Sequence, residues 1–188
     1  MPHKLFYSFF IFFLIGFSAT AQKKAPEFHS VNQAGAAAGE NSANWVFQSV
    51  NGVEFLNYFV GIGVGIDQYR YKTMPLFFDA RAYFAPEKRA FIYGDLGYNF
   101  PMKNTPGKEV SFYNSYHFTG GVYTDLGIGY QFKINKKAAF LFSFGHSYKK
   151  IESKIGLNAC GVTGPCWVNY SQYKLGLGRM MVKAGLVF

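Results

Sequence analysis

The sequence has 188 residues and a formal net charge of +9, with 15% charged and 20% aromatic residues. A water-soluble domain averages about 25% charged residues, and Phe and Tyr prefer strands and membrane interfaces. The composition therefore disfavours an ordinary soluble domain and favours β-structure in lipid.

The N-terminal segment has the layout of a secretory signal peptide. His3 and Lys4 form a weakly basic start, residues 5–17 are an apolar run, and Ala19 and Ala21 satisfy the small-x-small cleavage rule. We predict a signal peptide over residues 1–21 and one exported domain over residues 22–188. A permanent anchor is the alternative, although the run is shorter than the roughly 20 apolar residues that span a bilayer. An exported chain does not routinely meet nucleic acid, so anionic lipid headgroups are the expected partners of the basic excess.

Beyond the signal, apolar and polar residues alternate in stretches separated by turn-type residues. Such alternation over stretches of about 10 residues is typical of transmembrane strands. The clearest stretches are residues 58–71, 76–84, 90–100, 116–133 and 139–149. Weaker ones are residues 44–56 and residues 31–39, which form either a first strand or a flexible leader.

The C-terminal stretch changes its alternation part-way. One face holds Met180, Val182, Ala184, Leu186 and Phe188, whereas the opposite face holds Tyr173, Leu175 and Leu177. An extra residue in a strand shifts the facing of everything beyond it, so we predict a bulge near Gly178 and Arg179.

The connections predict the architecture. Short links at residues 56–57, 85–88 and 135–137 contrast with long ones at residues 101–115 and 153–169. Outer-membrane barrels have short periplasmic turns and long outer loops. The predicted fold is all-β: an eight-stranded, antiparallel, up-and-down transmembrane barrel, monomeric, in the outer membrane of a Gram-negative bacterium. A soluble lipocalin-like barrel, with its apolar face inside, is the alternative. The scarcity of charges and the Gly-rich polar faces disfavour it.

Several segments carry a family likeness. They are residues 50–52, 58–67, 75–84, 92–98, 127–129, 135–137 and 183–188. On these the chain resembles the small outer-membrane β-barrel domain family, of about eight strands. The resemblance implies insertion by the barrel-assembly machinery, with Phe188 as the C-terminal aromatic signal, and it implies no activity.

Several charged residues fall on the presumed lumenal face of the strands. They are Asp67, Asp79, Arg81, Asp95, Asp125, Lys133 and Lys183. They line a pore or an ion path, or they pair with one another in a plugged interior, where an unpaired charge is costly. We favour structural pairing.

A second set of basic residues falls in or beside the predicted outer loops. It comprises Arg70, Lys72, Lys103, Lys108, Lys149, Lys150 and Lys154. These residues either form a solvated rim or bind lipopolysaccharide phosphates, since Lys and Arg pair well with phosphate oxygens. Cys160 and Cys166 lie in the longest loop and predict a disulfide in an oxidising compartment.

No motif for catalysis, a cofactor or a metal is present in the sequence. His146 and Ser147 are neighbours on a strand and therefore point to opposite faces. We expect a structural or adhesive protein that displays its outer loops and has no enzymatic activity. A narrow channel for small solutes is the alternative, and a lipid A or phospholipid acyl hydrolase is the third hypothesis.

Overall fold

A computed structural model describes residues 25–39, 42–69, 72–102, 114–135, 138–159 and 167–188. Its strands are β1 (Glu27–Gly39), β2 (Ser42–Phe55), β3 (Tyr58–Gln68), β4 (Lys72–Phe84), β5 (Ala90–Pro101), β6 (Asn114–Thr119), β7 (Gly121–Lys133), β8 (Ala139–Ala159) and β9 (Trp167–Val187). One short 3₁₀ turn, Pro86–Lys88, precedes β5. No helix among these residues is long and apolar enough to cross a membrane.

The strands close into an antiparallel barrel. Neighbours pair in chain order from β1 to β5, β5 pairs with β7, β7 with β8 and β8 with β9, and β9 returns to β1. Because β6 and β7 both lie against β8, they act as one interrupted strand, and the wall contains eight strands. The predicted eight-stranded antiparallel fold is confirmed. Residues 31–39 belong to the first strand and not to a leader.

The barrel is apolar outside and charged inside. Large apolar side chains such as Phe78 and Leu96 are 69% and 62% exposed on the outer wall, whereas Asp79 and Asp125 are 2% and 0% exposed in the interior. In water this arrangement would expose a large apolar surface, which is unfavourable. In a bilayer the acyl chains cover that surface. Closure leaves no unpaired sheet edge in the eight-stranded wall, as hydrocarbon requires. The inside-out distribution therefore favours a bilayer and contradicts the soluble alternative.

Glycines on the lumenal face leave room for aromatic rings. A Cβ added to Gly63 would lie 2.4 Å from the ring of Phe77, and one added to Gly129 would lie 2.2 Å from the ring of Phe91. The rings of Phe77 and Phe91 are buried in the main lumenal cluster. The small residues and the rings thus fill the narrow interior together.

Replacing Gly63 with Ala is expected to destabilise the barrel by roughly 1–3 kcal/mol, because the new methyl overpacks the Phe77 ring. The matched control is Gly94→Ala on the outer wall, where the new Cβ meets only the end of the Leu126 side chain at 3.0 Å. Chemical unfolding of both variants in lipid vesicles measures the difference. Equal stability of the two variants would refute this account of the lumenal glycines.

A bulge lies between β6 and β7, within a stretch that the sequence predicts to be one regular strand. Thr119 lies opposite Glu152 and Tyr123 opposite Lys149, so four steps along one strand face three along β8. Gly120 occupies the junction, where an added Cβ would fall 1.8 Å from the Asn99 carbonyl oxygen. The predicted single alternation over residues 116–133 is therefore wrong at this point, because a bulge changes the facing of the residues before it.

The bulge predicted near Gly178 is wrong. The pairing of β9 with β8 keeps one register along its whole length, from Ala159–Trp167 to Ala139–Val187. The alternation changes because Leu177 is an apolar residue on the lumenal face at the outer end of the barrel. Leu177 packs there against the cluster of Ala37, Val46, Tyr69 and Met181. Apolar residues are thus lumenal here without any shift of register.

The β8–β9 hairpin is longer than the sequence predicts. Residues 153–159 and 167–169, assigned to a long loop, continue the two strands. β1 pairs with β9 only as far as Met180. The β8–β9 hairpin therefore projects beyond the barrel at the end opposite the termini. By the usual orientation of these barrels, that end faces outward and the end with the termini faces the periplasm. The bounds of the strands leave two residues between β1 and β2 and three between β3 and β4, so long outer connections occur only later in the chain.

Candidate functional site

The described residues form three ion pairs in the lumen, and the outermost joins β8 to β3. The Lys149 ammonium contacts the Asp67 carboxylate, and the Thr73 hydroxyl donates to the same carboxylate at 2.5 Å. The ammonium lies 4.1 Å from the centre of the Tyr69 ring, which adds a cation–π contact. Alternation places Lys149, Asp67 and Thr73 on the inner faces of their strands, and Tyr69 directly follows β3. All four groups are buried, so this pair closes the outer part of the lumen.

The central ion pair joins β9 to β7. The Lys183 ammonium lies 2.8 Å from the Asp125 carboxylate and 3.0 Å from the Gln48 side-chain oxygen. The Tyr93 hydroxyl donates to Asp125 at 3.1 Å, and the Gln48 amide donates to the Tyr123 hydroxyl at 2.7 Å. Because each charge has several polar partners, this network offsets much of its desolvation.

The third ion pair lies within β4. The Arg81 guanidinium donates to the Asp79 carboxylate from Nε, at 2.9 and 3.1 Å, and from Nη2, at 2.7 Å. The guanidinium lies 5.5 Å from the Phe59 ring centre and 5.4 Å from that of Phe91. The two residues are two positions apart on one strand and so share its inner face. The bidentate geometry fixes both side chains.

Asp95 differs from the other lumenal carboxylates. Asp95 is only 2% exposed, yet neither of its carboxylate oxygens has a hydrogen-bond partner among the residues that the structure describes. It lies directly opposite Asp79 on β4 and directly opposite Asp125 on β7. Three carboxylates thus stand side by side on adjacent strands, where directly opposed like charges are destabilising.

A vestibule of about 680 Å³ opens at the periplasmic end. Lys88 spans it, with its ammonium 2.5 Å from the Glu54 carboxylate and in contact with the Leu56 carbonyl oxygen. Lys133, predicted to be enclosed with the other lumenal charges, is an exposed residue in the vestibule wall instead, because β7 ends there. On the turn below, a hydrogen bond from Arg89 lowers the pKa of Glu87.

The structure places the residues of the second predicted basic set in different environments. Lys149, assigned to the outer rim, is wholly buried in the lumen, because β8 continues ten residues past it and places its side chain on the inner face. Lys150 and Lys154 lie outside the barrel on the β8–β9 hairpin, and Lys72 begins β4 half-buried. The remaining predictions for this set and for the disulfide lie outside the described residues, as does the signal peptide: Arg70, Lys103, Lys108, Cys160, Cys166 and residues 1–21.

The sequence analysis does not identify the polar partners of the lumenal charges, because these partners are not charged themselves. Gln48, Thr73, Tyr93 and Tyr123 share the alternation of the charged residues, and that signal was available. His146 is exposed on the outer wall and Ser147 is buried in the lumen, on opposite faces. Within the described ranges, no three His, Cys, Asp or Glu side chains are placed to hold a metal ion.

Comparison with protein-family models found no match, and neither did comparison with curated proteins. Among solved structures, the barrel is similar to the solid-state NMR structure of outer membrane protein AlkL in lipid bilayers. The TM-score is 0.51, the identity is 11%, and the alignment covers 91% of this chain and 93% of that one. The chain folds as a small outer-membrane β-barrel. This barrel is also similar to outer membrane protein OprG from Pseudomonas aeruginosa, with 13% identity, coverage of 87% and 95%, and a TM-score of 0.48.

The apolar outer wall and the likeness to AlkL locate this barrel in the outer membrane. Its C-terminal Phe188 is an exposed side chain at the periplasmic end, and its backbone exchanges two 2.9 Å hydrogen bonds with Ser30 of β1. The last strand is therefore the one that completes the wall. The role of Phe188 as an assembly signal stays a prediction.

Proposed function

We propose that this outer-membrane barrel is a narrow channel for small solutes, closed in the described conformation by its lumenal ion pairs. The observation that carries the proposal is the polar column inside the barrel. From the outer end to the vestibule, the lumen holds the pairs Lys149–Asp67, Lys183–Asp125 and Arg81–Asp79. This function replaces the adhesive role that the sequence favoured, for which the lumen supplies no reason.

A barrel that serves only as an anchor has no use for such a column. Replacing buried ion pairs by packed apolar side chains is often neutral or stabilising, so stability alone does not require them. A polar column does supply hydrogen-bond partners to water or to a hydrophilic solute that crosses the membrane. The polar lumen therefore favours a path over a plug.

Opening the path requires the flexible cationic side chains to move. Lys149 and Lys183 have long stems, and each bridges two strands of the wall by its ammonium group alone. Arg81 is held by its bidentate contact with Asp79 and by two rings, so it is the fixed member of the column. Movement of the two lysines would remove both ion-pair bridges across the lumen without any change in the wall.

Planar-bilayer recording of the purified mature protein tests the proposal. We expect small, discrete current steps from the wild type and more frequent openings from Lys149→Ala, because that variant lacks the outermost bridge across the lumen. The control is Lys154→Ala, which removes an exposed lysine of the hairpin and should leave the current unchanged. If neither the wild type nor Lys149→Ala passes more current than a protein-free bilayer, the channel is rejected.

Surface display remains a second candidate, and the projecting β8–β9 hairpin favours it. On the outer side of this hairpin, the ammonium groups of Lys150 and Lys174 flank the Glu152 carboxylate at 3.8 and 3.9 Å. We propose that these lysines, together with Lys154, bind phosphates of outer-leaflet lipopolysaccharide. Charge reversal at Lys150 and Lys174 should then weaken lipid A binding without changing conductance. Unchanged lipid A binding would remove this proposal.

A further inference from the structure

The charges enclosed in the lumen do not balance. Among the described residues, the buried charged side chains are four carboxylates and three cations: Asp67, Asp79, Asp95, Asp125, Arg81, Lys149 and Lys183. Each cation has its own carboxylate partner. One carboxylate therefore lacks a matching positive charge, and an uncompensated charge in a low-dielectric interior is costly.

The unmatched carboxylate is Asp95, and its position is specific. Both of its oxygens are buried without a hydrogen-bond partner in the described part of the chain. Asp79 and Asp125 lie directly opposite it on the two neighbouring strands. The two carboxylates opposite it engage Arg81 and Lys183, so neither cation is left over for Asp95. The row of three carboxylates shares two cationic side chains.

We infer that Asp95 is a binding site for a small monovalent cation, which supplies the missing positive charge as it passes along the lumen. A divalent metal is disfavoured, because no three acidic, His or Cys side chains of the described residues converge on one point. A single carboxylate is a weak ligand that both binds and releases an alkali ion, as conduction requires. The inference rests on the proposed channel and extends it, since it makes the path selective for cations.

The stability of the protein gives the first test, and this test does not depend on conduction. A ligand that binds only the folded state stabilises it. We expect the wild-type unfolding temperature in lipid vesicles to be a few degrees higher in KCl than in N-methylglucamine chloride of equal concentration. The Asp95→Asn variant should unfold at the same temperature in both salts. The control is Glu152→Gln, which removes a carboxylate on the outer face of the hairpin and should keep the difference in unfolding temperature. Equal unfolding temperatures of the wild type in the two salts would overturn the site, since a proton would then balance the charge.

Ion selectivity gives the second test. In a KCl gradient, the wild-type reversal potential should have the sign of a cation-selective path, and Asp95→Asn should move it towards zero while conductance persists. Conductance with the same reversal potential in both proteins would overturn the inference and leave the channel intact. Absence of current in both proteins, together with a K⁺-dependent unfolding temperature, would reject the channel and retain the cation site.

Discussion

Replacing Lys183 with Met is expected to lower the free energy of unfolding by about 3–5 kcal/mol, because the change leaves the buried Asp125 carboxylate without its cation. The Gln48 oxygen loses the same donor, at 3.0 Å. Met fills a similar volume, so the loss is electrostatic and not a packing defect. Urea unfolding in lipid vesicles, followed by heat-modifiable gel mobility, measures the change.

Two further variants separate charge from bulk at this site. Lys174→Met removes an exposed lysine on the same strand, 64% exposed, and should change stability by about 1 kcal/mol or less. Lys183→Met combined with Asp125→Leu removes both charges and should recover most of the stability, because packed apolar residues replace a buried pair with little loss. If Lys183→Met were as stable as Lys174→Met, the central ion pair would have no structural role.

The identity of the lumenal face was predictable, since alternation alone fixes which side chains share a face of a strand. Asp67, Asp79, Asp95 and Asp125 follow that rule, and all four are buried in the lumen. The prediction depends only on strand geometry and on the interpretation that the apolar face of each strand contacts lipid. Neither requires knowledge of how the strands are staggered.

The pairing of those charges was not predictable, because it depends on stagger between strands far apart in sequence. Lys149 and Asp67 are 82 positions apart and on strands that do not pair with each other. They meet only across the closed lumen. The assignment of Lys149 to the outer rim failed for a related reason: the sequence does not mark where β8 leaves the barrel. Likewise Gly120 resembles the other strand glycines in the sequence, and only the change of register against β8 between Thr119 and Tyr123 identifies the bulge.

Introducing Arg at Leu96 is expected to destabilise the folded protein by about 2–4 kcal/mol, the range for a basic residue at the bilayer midplane on the lipid face of a barrel. Leu96 lies near the middle of β5, 62% exposed on the outer wall. In a soluble protein, the same change at so exposed a position would be nearly neutral. The measurement is unfolding in lipid vesicles, with insertion checked by protease protection.

The matched control for Leu96→Arg is Ile134→Arg. Ile134 is also 62% exposed, but it lies in the turn after β7 at the periplasmic end. Near the interface the same substitution costs about 0–1 kcal/mol, because the side chain reaches water and headgroups. Because the two positions have equal exposure, only depth in the bilayer separates them. A purified mature protein that stays monodisperse without detergent, with equal effects of the two substitutions, would mean that water and not acyl chains covers the apolar wall.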